Sequence, residues 1–327
     1  MQIVFLRKRQ VSRSGLILAL FVLAFVLSIQ ARGLQRRFMG VKPGVMLENF
    51  AVAGLLPHEL TRLVRRIAPN FEREPQNAML FTETGEVIPE NGGLAVDVAG
   101  TIRAVFLARP NERVHLVVQA VAPAITREYF EPIFQGPRDR PEVALAINVA
   151  WGEESLPGML DVLKREKAAA SFFFVGDFAE KFPELVQAVA RAGHEVANHG
   201  LRHDNPRTMT REQLTRLILD NEALLARIIG RRPARLFAPP AGEFDRRTVG
   251  VAAELGYRSI LWTVDTIDWQ RPSPDLILAR AVNKVSNGAI ILMHPTAPTL
   301  AALPGIIAAL RERGYRLVTV GRMLGAG

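Results

Sequence analysis

The spacing of apolar positions divides the chain into three parts. Residues 15–31, GLILALFVLAFVLSIQA, form an uninterrupted apolar run. Residues 41–130 mix short alternating segments with helix-like segments. From residue 143 onwards, apolar runs of strand length alternate regularly with stretches of helical periodicity. This pattern predicts an N-terminal apolar segment, a small domain and a larger α/β domain.

The middle part is predicted to be a small α+β domain over residues 41–130. Its segment 59–67, ELTRLVRRI, has helical periodicity and places four apolar residues on one stripe, namely Leu60, Leu63, Val64 and Ile67. The stretch AMLFTETGEVIP predicts two short strands around a turn at Thr84-Gly85. Residues 131–142, EPIFQGPRDRPE, are rich in Pro and charge and are predicted to be a linker.

The last part, residues 143–327, contains seven apolar runs of strand length separated by helix-like segments. The runs cover residues 143–149, 170–175, 194–198, 235–239, 258–264, 289–293 and 315–320. Strands that alternate with helices predict a parallel sheet buried on both faces. The number and regularity of the strands favour a barrel, in which functional residues gather at the C-terminal ends of the strands.

The N-terminal segment has the pattern of an export signal or a membrane anchor, which we assign to residues 1–40. Basic residues in RKRQVSRS precede the apolar run 15–31. Cleavage after Ala31 would place Ile29 at a position where a small residue is preferred, so an uncleaved anchor is favoured over a cleaved signal. We therefore expect an extracytoplasmic protein, anchored to the membrane or secreted.

Charge and cysteine content exclude several functions. The formal charge is +9, but five of the 41 Lys and Arg residues lie within residues 1–32, which leaves 36 against 32 acidic residues. The chain has no basic stripe with interleaved aromatic residues, so no nucleic-acid partner is predicted. A modest positive surface suits an anionic cell-wall polymer. The absence of cysteine excludes disulfides, thiolate metal ligands and a cysteine nucleophile.

Polar and aromatic side chains follow the predicted barrel strands at their C-terminal ends. They are Asn148, Glu153, Glu154, His199, His203, Asp265, Asp268, Trp269 and His294. Taken singly, each residue has an ordinary reading as a helix cap, a surface residue or a packing residue. Together on neighbouring strand ends they indicate a site. The pair in HGLRH, His199 and His203, has a spacing that suits a metal, which normally needs a third ligand such as a carboxylate.

The chain resembles the NodB-type polysaccharide deacetylases, carbohydrate esterase family 4, over about residues 140–324. The resembling motifs are VALAINVAWG, ASFFFVG, GHEVANHGLRH, LFAPPAGEFD, GYRSILWTVDTIDWQRPSP and GAIILMHP. The resemblance implies a distorted (β/α)7 barrel and metal-dependent removal of acetyl groups from amino sugars. Residues 41–130, through PQNAMLFTETGEVIPENGGLAVDVAGTI and VHLVVQAVAPAIT, resemble a peptidoglycan-binding module of VanW-like proteins.

The resemblance also implies roles for individual residues. His199 and His203 fall on the metal-binding pair, and His294 falls on the acid that protonates the leaving amine. Asp265 falls on a motif that flanks the groove and supports that histidine, and Trp269 falls on its aromatic wall. The expected partners are peptidoglycan or another N-acetylated polysaccharide, and the membrane through the N-terminal segment.

Three positions depart from the family pattern. Asn148 and Val149 stand where the family has two consecutive Asp residues, and Ala238 stands where it has Arg. The general base and one metal ligand are therefore absent, although Glu153 or Glu154 in the following loop offer substitute carboxylates. The departure INVAWG resembles a sporulation-associated branch of the family.

Two hypotheses follow from these departures. The chain is either a cell-wall deacetylase with altered metal and base groups, or an inactive glycan-binding or scaffold protein on the deacetylase fold. The residues slightly favour the inactive protein. We expect zinc or another divalent metal to bind weakly or not at all.

Overall fold

The structure, a computed structural model, describes residues 13–81 and 84–325. The chain forms two compact units that are not consecutive in sequence. The small unit consists of Met1–Gln76 and Gly92–Ala122, and the barrel unit consists of Asn77–Asn91 and Pro123–Gly327. This division differs from the predicted one, in which residues 41–130 formed one domain and 131–142 a linker.

The first elements of the chain include one hairpin, β3 and β4, that belongs to the barrel unit. In chain order they are α1 (Arg13–Met39), β1 (Met46–Leu47), β2 (Phe50–Ala51), α2 (Pro57–Ile67), β3 (Met79–Phe81), β4 (Glu86–Ile88), β5 (Gly93–Val96), α3 (Val98–Leu107), β6 (Arg113–Val114) and β7 (Val118–Val121). In the small unit, β1 pairs antiparallel with β2 and parallel with β6, and β5 pairs antiparallel with β7.

Helix α2 carries the main apolar face of the small unit. Its buried residues are the four predicted from the sequence, Leu60, Leu63, Val64 and Ile67. Helix α1 overlaps the predicted signal or anchor at 1–40, of which residues 1–12 lie outside the described residues. In the described part of the chain, no helix is both long and apolar enough to cross a membrane.

The remaining elements alternate between strands and helices. In chain order they are β8 (Glu142–Val149), α4 (Leu156–Arg165), β9 (Ser171–Phe174), α5 (Gly176–Lys181), α6 (Pro183–Arg191), β10 (Glu195–Asn198), α7 (Arg211–Ile229), β11 (Leu236–Phe237), α8 (Arg246–Glu254), β12 (Arg258–Ser259), β13 (Val264–Asp265), α9 (Pro274–Asn283), β14 (Ile290–Met293), α10 (Ala297–Glu312), β15 (Arg316–Val318) and α11 (Val320–Met323).

These strands form one curled parallel sheet, consistent with a distorted (β/α)7 barrel. Its order is β12-β11-β10-β9-β8-β14-β13, and β15 pairs with the N-terminal half of β8. The predicted strand at 258–264 is split into β12 and β13, which form the two ends of this order. Between them, the Leu261 N–H donates to the Ile133 carbonyl oxygen at 2.8 Å, so the chain leaves its neighbouring strand there.

Alternation along β8 decides which side chains face the interior of the barrel. Residues at odd positions, Val143 to Val149, pack in an apolar cluster that also contains residues of α4 and α10. Ala144 and Ala146 belong to the separate cluster inside the curled sheet. Because successive strand residues point to opposite faces, Asn148 lies on the interior face and Val149 on the helix face.

The predicted linker and the hairpin of β3 and β4 are both part of the barrel unit. Within residues 131–142, Ile133 bridges to Ile260 and Gln135 bridges to Ala289. In the hairpin, the backbone N–H of Leu80 donates to the Glu254 carboxylate at 3.3 Å. The Pro-rich segment 131–142 therefore has an irregular structure and contacts the barrel.

Candidate active-site cavity

A cavity of about 430 Å³ opens at the C-terminal ends of the barrel strands. Its wall consists of Asn148, Ala150, Trp151, His199, His203, Ala241, Gly242, Trp262, Asp265, Trp269, Leu292 and His294. Six residues singled out from the sequence therefore meet here. Five others, Val149, Glu153, Glu154, Ala238 and Asp268, are not part of the cavity wall.

His199 is the most deeply buried polar group of the cavity, with 1% of its surface exposed. It follows β10, and its ring Nδ1 donates to the Ala238 carbonyl oxygen at 2.7 Å. Because a carbonyl only accepts, the proton sits on Nδ1 and the lone pair on Nε2. Burial lowers the pKa of His199 to about 3, with smaller contributions from His203 and His294, so the ring is neutral near pH 7.

His203 lies beside His199 at the rim of the cavity. The two ring centroids are 5.3 Å apart with the planes inclined at 70°. Gly200 turns the chain between them with a φ of +84°, and its N–H donates to Asn198 Oδ1 at 2.8 Å. Glycine suits this left-handed conformation, which is strained for residues that carry a side chain. Burial is the main cause of a lowered pKa for His203.

His294 is held by Asp268, not by Asp265 as the resemblance implied. The Nδ1 of His294 lies 2.8 Å from Asp268 Oδ1, and its backbone N–H donates to Asp268 Oδ2 at 2.6 Å. The hydroxyl of Thr299 also donates to Asp268 Oδ2 at 2.6 Å. Asp268 is fully buried, so these donors replace its lost hydration and fix the orientation of the His294 ring.

Asp265 lines the cavity instead of supporting His294. Its Oδ1 accepts the Ile267 N–H at 2.8 Å, across a turn in which Ile267 has a left-handed φ of +51°. The sequence alone could not separate the two aspartates of DTIDW, because their directions depend on this turn. Asp268 was noted as a strand-end residue, but its contact with His294 has no sequence signal of its own.

Asn148 and Val149 face opposite sides of β8. Asn148 is 4% exposed and lines the cavity, and its Oδ1 has no hydrogen-bond partner within 13–81 and 84–325. Val149 is fully buried in the apolar cluster on the helix side of the sheet. Ala238 contributes only its carbonyl oxygen, the acceptor for His199.

The cavity does not provide the usual ligand set of a catalytic zinc. His199 and His203 supply two imidazoles, but Glu153 and Glu154 lie in the turn after β8, away from the cavity wall. No group of three His, Cys, Asp or Glu residues placed to hold a metal occurs within 13–81 and 84–325. A zinc site normally adds a third protein ligand to such a pair.

Aromatic side chains form much of the remaining wall. All three tryptophans of the chain, Trp151, Trp262 and Trp269, line the cavity. The indole of Trp151 stacks on the His294 ring with centroids 5.6 Å apart and planes inclined at 12°. Trp269 was predicted from the sequence, whereas Trp151 and Trp262 were not. The position of Trp151 directly after the first strand was the available signal.

Comparison with known proteins agrees with the fold. The family model for polysaccharide deacetylase matches residues 135–260. YlxY of Bacillus subtilis, an uncharacterized protein, is 36% identical over 259 residues, which cover 79% of this chain and 81% of YlxY. A peptidoglycan-N-acetylglucosamine deacetylase of Bacillus cereus is 33% identical over 201 residues, covering 60% of this chain and 73% of the enzyme.

Solved structures that match this chain belong to the same family of proteins. A wild-type CE4 family pseudoenzyme from Bacillus anthracis is 32% identical, with a TM-score of 0.59, covering 82% of this chain and 95% of that one. A mutant of the same pseudoenzyme, described as having restored enzymatic activity, is 31% identical with the same TM-score, covering 82% of this chain and 98% of the mutant. These matches define a carbohydrate-esterase type of barrel. The chain belongs to the polysaccharide deacetylase family.

Proposed function

We propose that the barrel binds an amino-sugar glycan of the cell wall and does not hydrolyse it. One observation carries this proposal. The cavity keeps its histidines and aromatic wall, but the residue on its interior face at the end of β8 is Asn148, an amide in place of a carboxylate.

The loss of hydrolysis follows from the chemistry of that amide. Deacetylation needs a general base to take a proton from the attacking water, and a base typically contributes about 10²–10⁴ in rate. An asparagine side chain has no basic site near neutral pH. The second carboxylate of the family is also missing, because Val149 is apolar and lies on the helix side of β8.

Binding is supported by the tryptophan wall and by the relatives. Ligand pockets combine aromatic walls with a few fixed polar groups, and this cavity has three indoles beside His199, Asp265 and His294. The Bacillus cereus relative is a peptidoglycan-N-acetylglucosamine deacetylase, which suggests amino-sugar polymers as the ligand class. The Bacillus anthracis relative is a pseudoenzyme, so the family includes a barrel of this kind.

The experiment follows tryptophan fluorescence during titration with a tetramer of N-acetylglucosamine or of glucosamine, and measures released acetate in the same samples. Because all three tryptophans line the cavity, the fluorescence reports on it directly. We expect saturable binding of at least one tetramer and no acetate above the buffer blank. Binding that is unchanged in a Trp269→Ala variant, or steady release of acetate, would refute the proposal.

We also propose that the protein meets this glycan outside the cytoplasm. The support is the basic flank and apolar run at the start of the chain. Fractionation of cells that express the tagged protein tests this, and recovery of the full-length chain in the cytosol would contradict it.

A further inference from the structure

The charge of the cavity points to a ligand more specific than an amino-sugar glycan in general. Among the described residues, no Lys or Arg lines the cavity. Asp265 lines it and forms no ion pair with another described side chain. Arg280 of α9 donates to the Thr266 carbonyl oxygen at 3.1 Å and is not among the residues of the cavity wall. His294 is paired with Asp268, and together they add no net positive charge.

Asp265 has one carboxylate oxygen available for a ligand. Its Oδ1 accepts the Ile267 N–H, and no hydrogen bond within the described residues uses Oδ2. The side chain is half-buried, so water screens its charge less than at an open surface. A cationic donor would therefore find a charged acceptor in the cavity wall.

A second acceptor comes from His199. Its Nδ1 is occupied by the Ala238 carbonyl, so Nε2 carries a lone pair and no proton. The three indoles add the electron-rich faces that attract cations in other binding sites. An ammonium group therefore fits this cavity. It would meet hydrogen-bond acceptors, aromatic faces and a carboxylate that forms no ion pair with another described side chain.

Resting on the proposed function, we propose that the cavity selects a de-N-acetylated amino sugar over its N-acetylated form. The free amine of such a sugar is protonated below its pKa and can donate to Asp265. An acetamido group carries no charge and has only one N–H, so it leaves the carboxylate without its counter-charge. The barrel would then recognise the product that active members of its family make.

The test compares glucosamine tetramer with N-acetylglucosamine tetramer on the full-length protein by tryptophan fluorescence. It is run at about pH 6, where amines are protonated, and with a chelator so that no metal bridges ligand and protein. We expect the glucosamine tetramer to bind roughly tenfold more tightly, with a preference that declines as salt is added.

Three variants examine the charge of the cavity. Asp265→Asn keeps an oxygen for the Ile267 N–H but removes the charge, so we expect the roughly tenfold preference for the glucosamine tetramer to disappear. The control Asp161→Asn makes the same change on the exposed face of α4 and should behave as the wild type. Asn148→Asp adds a carboxylate to the cavity and should strengthen glucosamine binding.

The outcomes separate this inference from the proposed function. Equal or tighter binding of the acetylated tetramer to the wild type would overturn the selectivity and leave glycan binding standing. No binding of either tetramer would overturn both. A preference for glucosamine that survives Asp265→Asn would also contradict the inference, because the charge would then come from elsewhere.

Discussion

Single side chains decide the chemistry of this barrel, and Asn148 is the main one. Asparagine has nearly the shape of aspartate, so the cavity keeps its form while it loses the group that accepts a proton from water. Among the described residues the Oδ1 of Asn148 has no hydrogen-bond partner, and the side chain lines the cavity.

A half-buried acid, Glu195, affects stability and not chemistry. It lies at the start of β10, at the opposite end of the strand from His199, and its Oε2 accepts from Ser171 Oγ at 2.6 Å and from the Gly321 N–H at 3.1 Å. Burial raises its pKa, and the hydrogen bonds offset part of this effect. A carboxyl whose pKa is higher in the folded state stabilises the protein below its unfolded pKa. That contribution is lost as the pH rises through the folded pKa.

The Glu195→Gln variant tests this. Glutamine keeps an acceptor for Ser171 and Gly321 but carries no charge, so the variant should be the more stable protein near pH 7. The difference in the free energy of unfolding should shrink as the pH falls towards the ordinary pKa of a glutamate. Denaturant unfolding of both proteins at several pH values measures it. A difference that is independent of pH would contradict the raised pKa.

The different roles of the two aspartates of DTIDW could not be predicted from the sequence. The sequence placed both at one strand end, and both do lie there. Which one contacts His294 depends on the left-handed turn at Ile267. Such a backbone conformation is uncommon for a β-branched residue, so the apolar pattern did not indicate it.

At the scale of elements, local periodicity predicted most strands and helices but not their partners. Six of the seven apolar runs of the barrel each contain a single strand, because strands buried on both faces keep a continuous apolar pattern. The run 258–264 is the exception, since Leu261 turns away to pair with Ile133 of a distant segment. The hairpin of β3 and β4 was likewise predicted as a hairpin. Its position on the barrel depends on contacts far apart in sequence.

Leu80 should be the residue that anchors this hairpin. It is 9% exposed and faces α8, where a Cβ at Gly250 would come within 2.5 Å of its Cδ2. Leu80→Ala should lower the free energy of unfolding by about 2–3 kcal/mol, as expected when a core leucine is truncated. Met79→Ala, on the exposed face of the same strand, should change it by less than about 0.5 kcal/mol. Equal effects of the two variants in denaturant unfolding would show that the hairpin is not packed on α8.

At the scale of the whole molecule, the chain combines two units with a basic, apolar start. The resemblance to a family predicted the barrel because its motifs lie at strand ends, where the fold and the chemistry constrain the same residues. The linear domain boundaries differ from the units of the structure because a segment of the barrel unit, Asn77–Asn91, interrupts the small unit. The amino-acid composition of a segment indicates whether it is exposed or irregular. It does not indicate which unit the segment packs against.

The central claim is that a family barrel has become a binding protein through the loss of its carboxylates. Replacing Asn148 and Val149 together by Asp restores both family carboxylates at the C-terminal end of β8, the first of them on the cavity wall. Val149 lies in an apolar cluster, so its replacement costs stability, and tryptophan fluorescence and unfolding must confirm that the double variant is folded. The single variant Asn148→Asp, whose side chain already faces the cavity, serves as the comparison.

The most direct measurement is acetate released from N-acetylglucosamine oligomers in the presence of zinc. We expect none from the wild type and a release from the folded double variant that stops when a chelator is added. The missing arginine at Ala238 should keep this activity below that of intact family enzymes. Efficient zinc-dependent release by the wild type, unaffected by Asn148→Ala, would contradict the account.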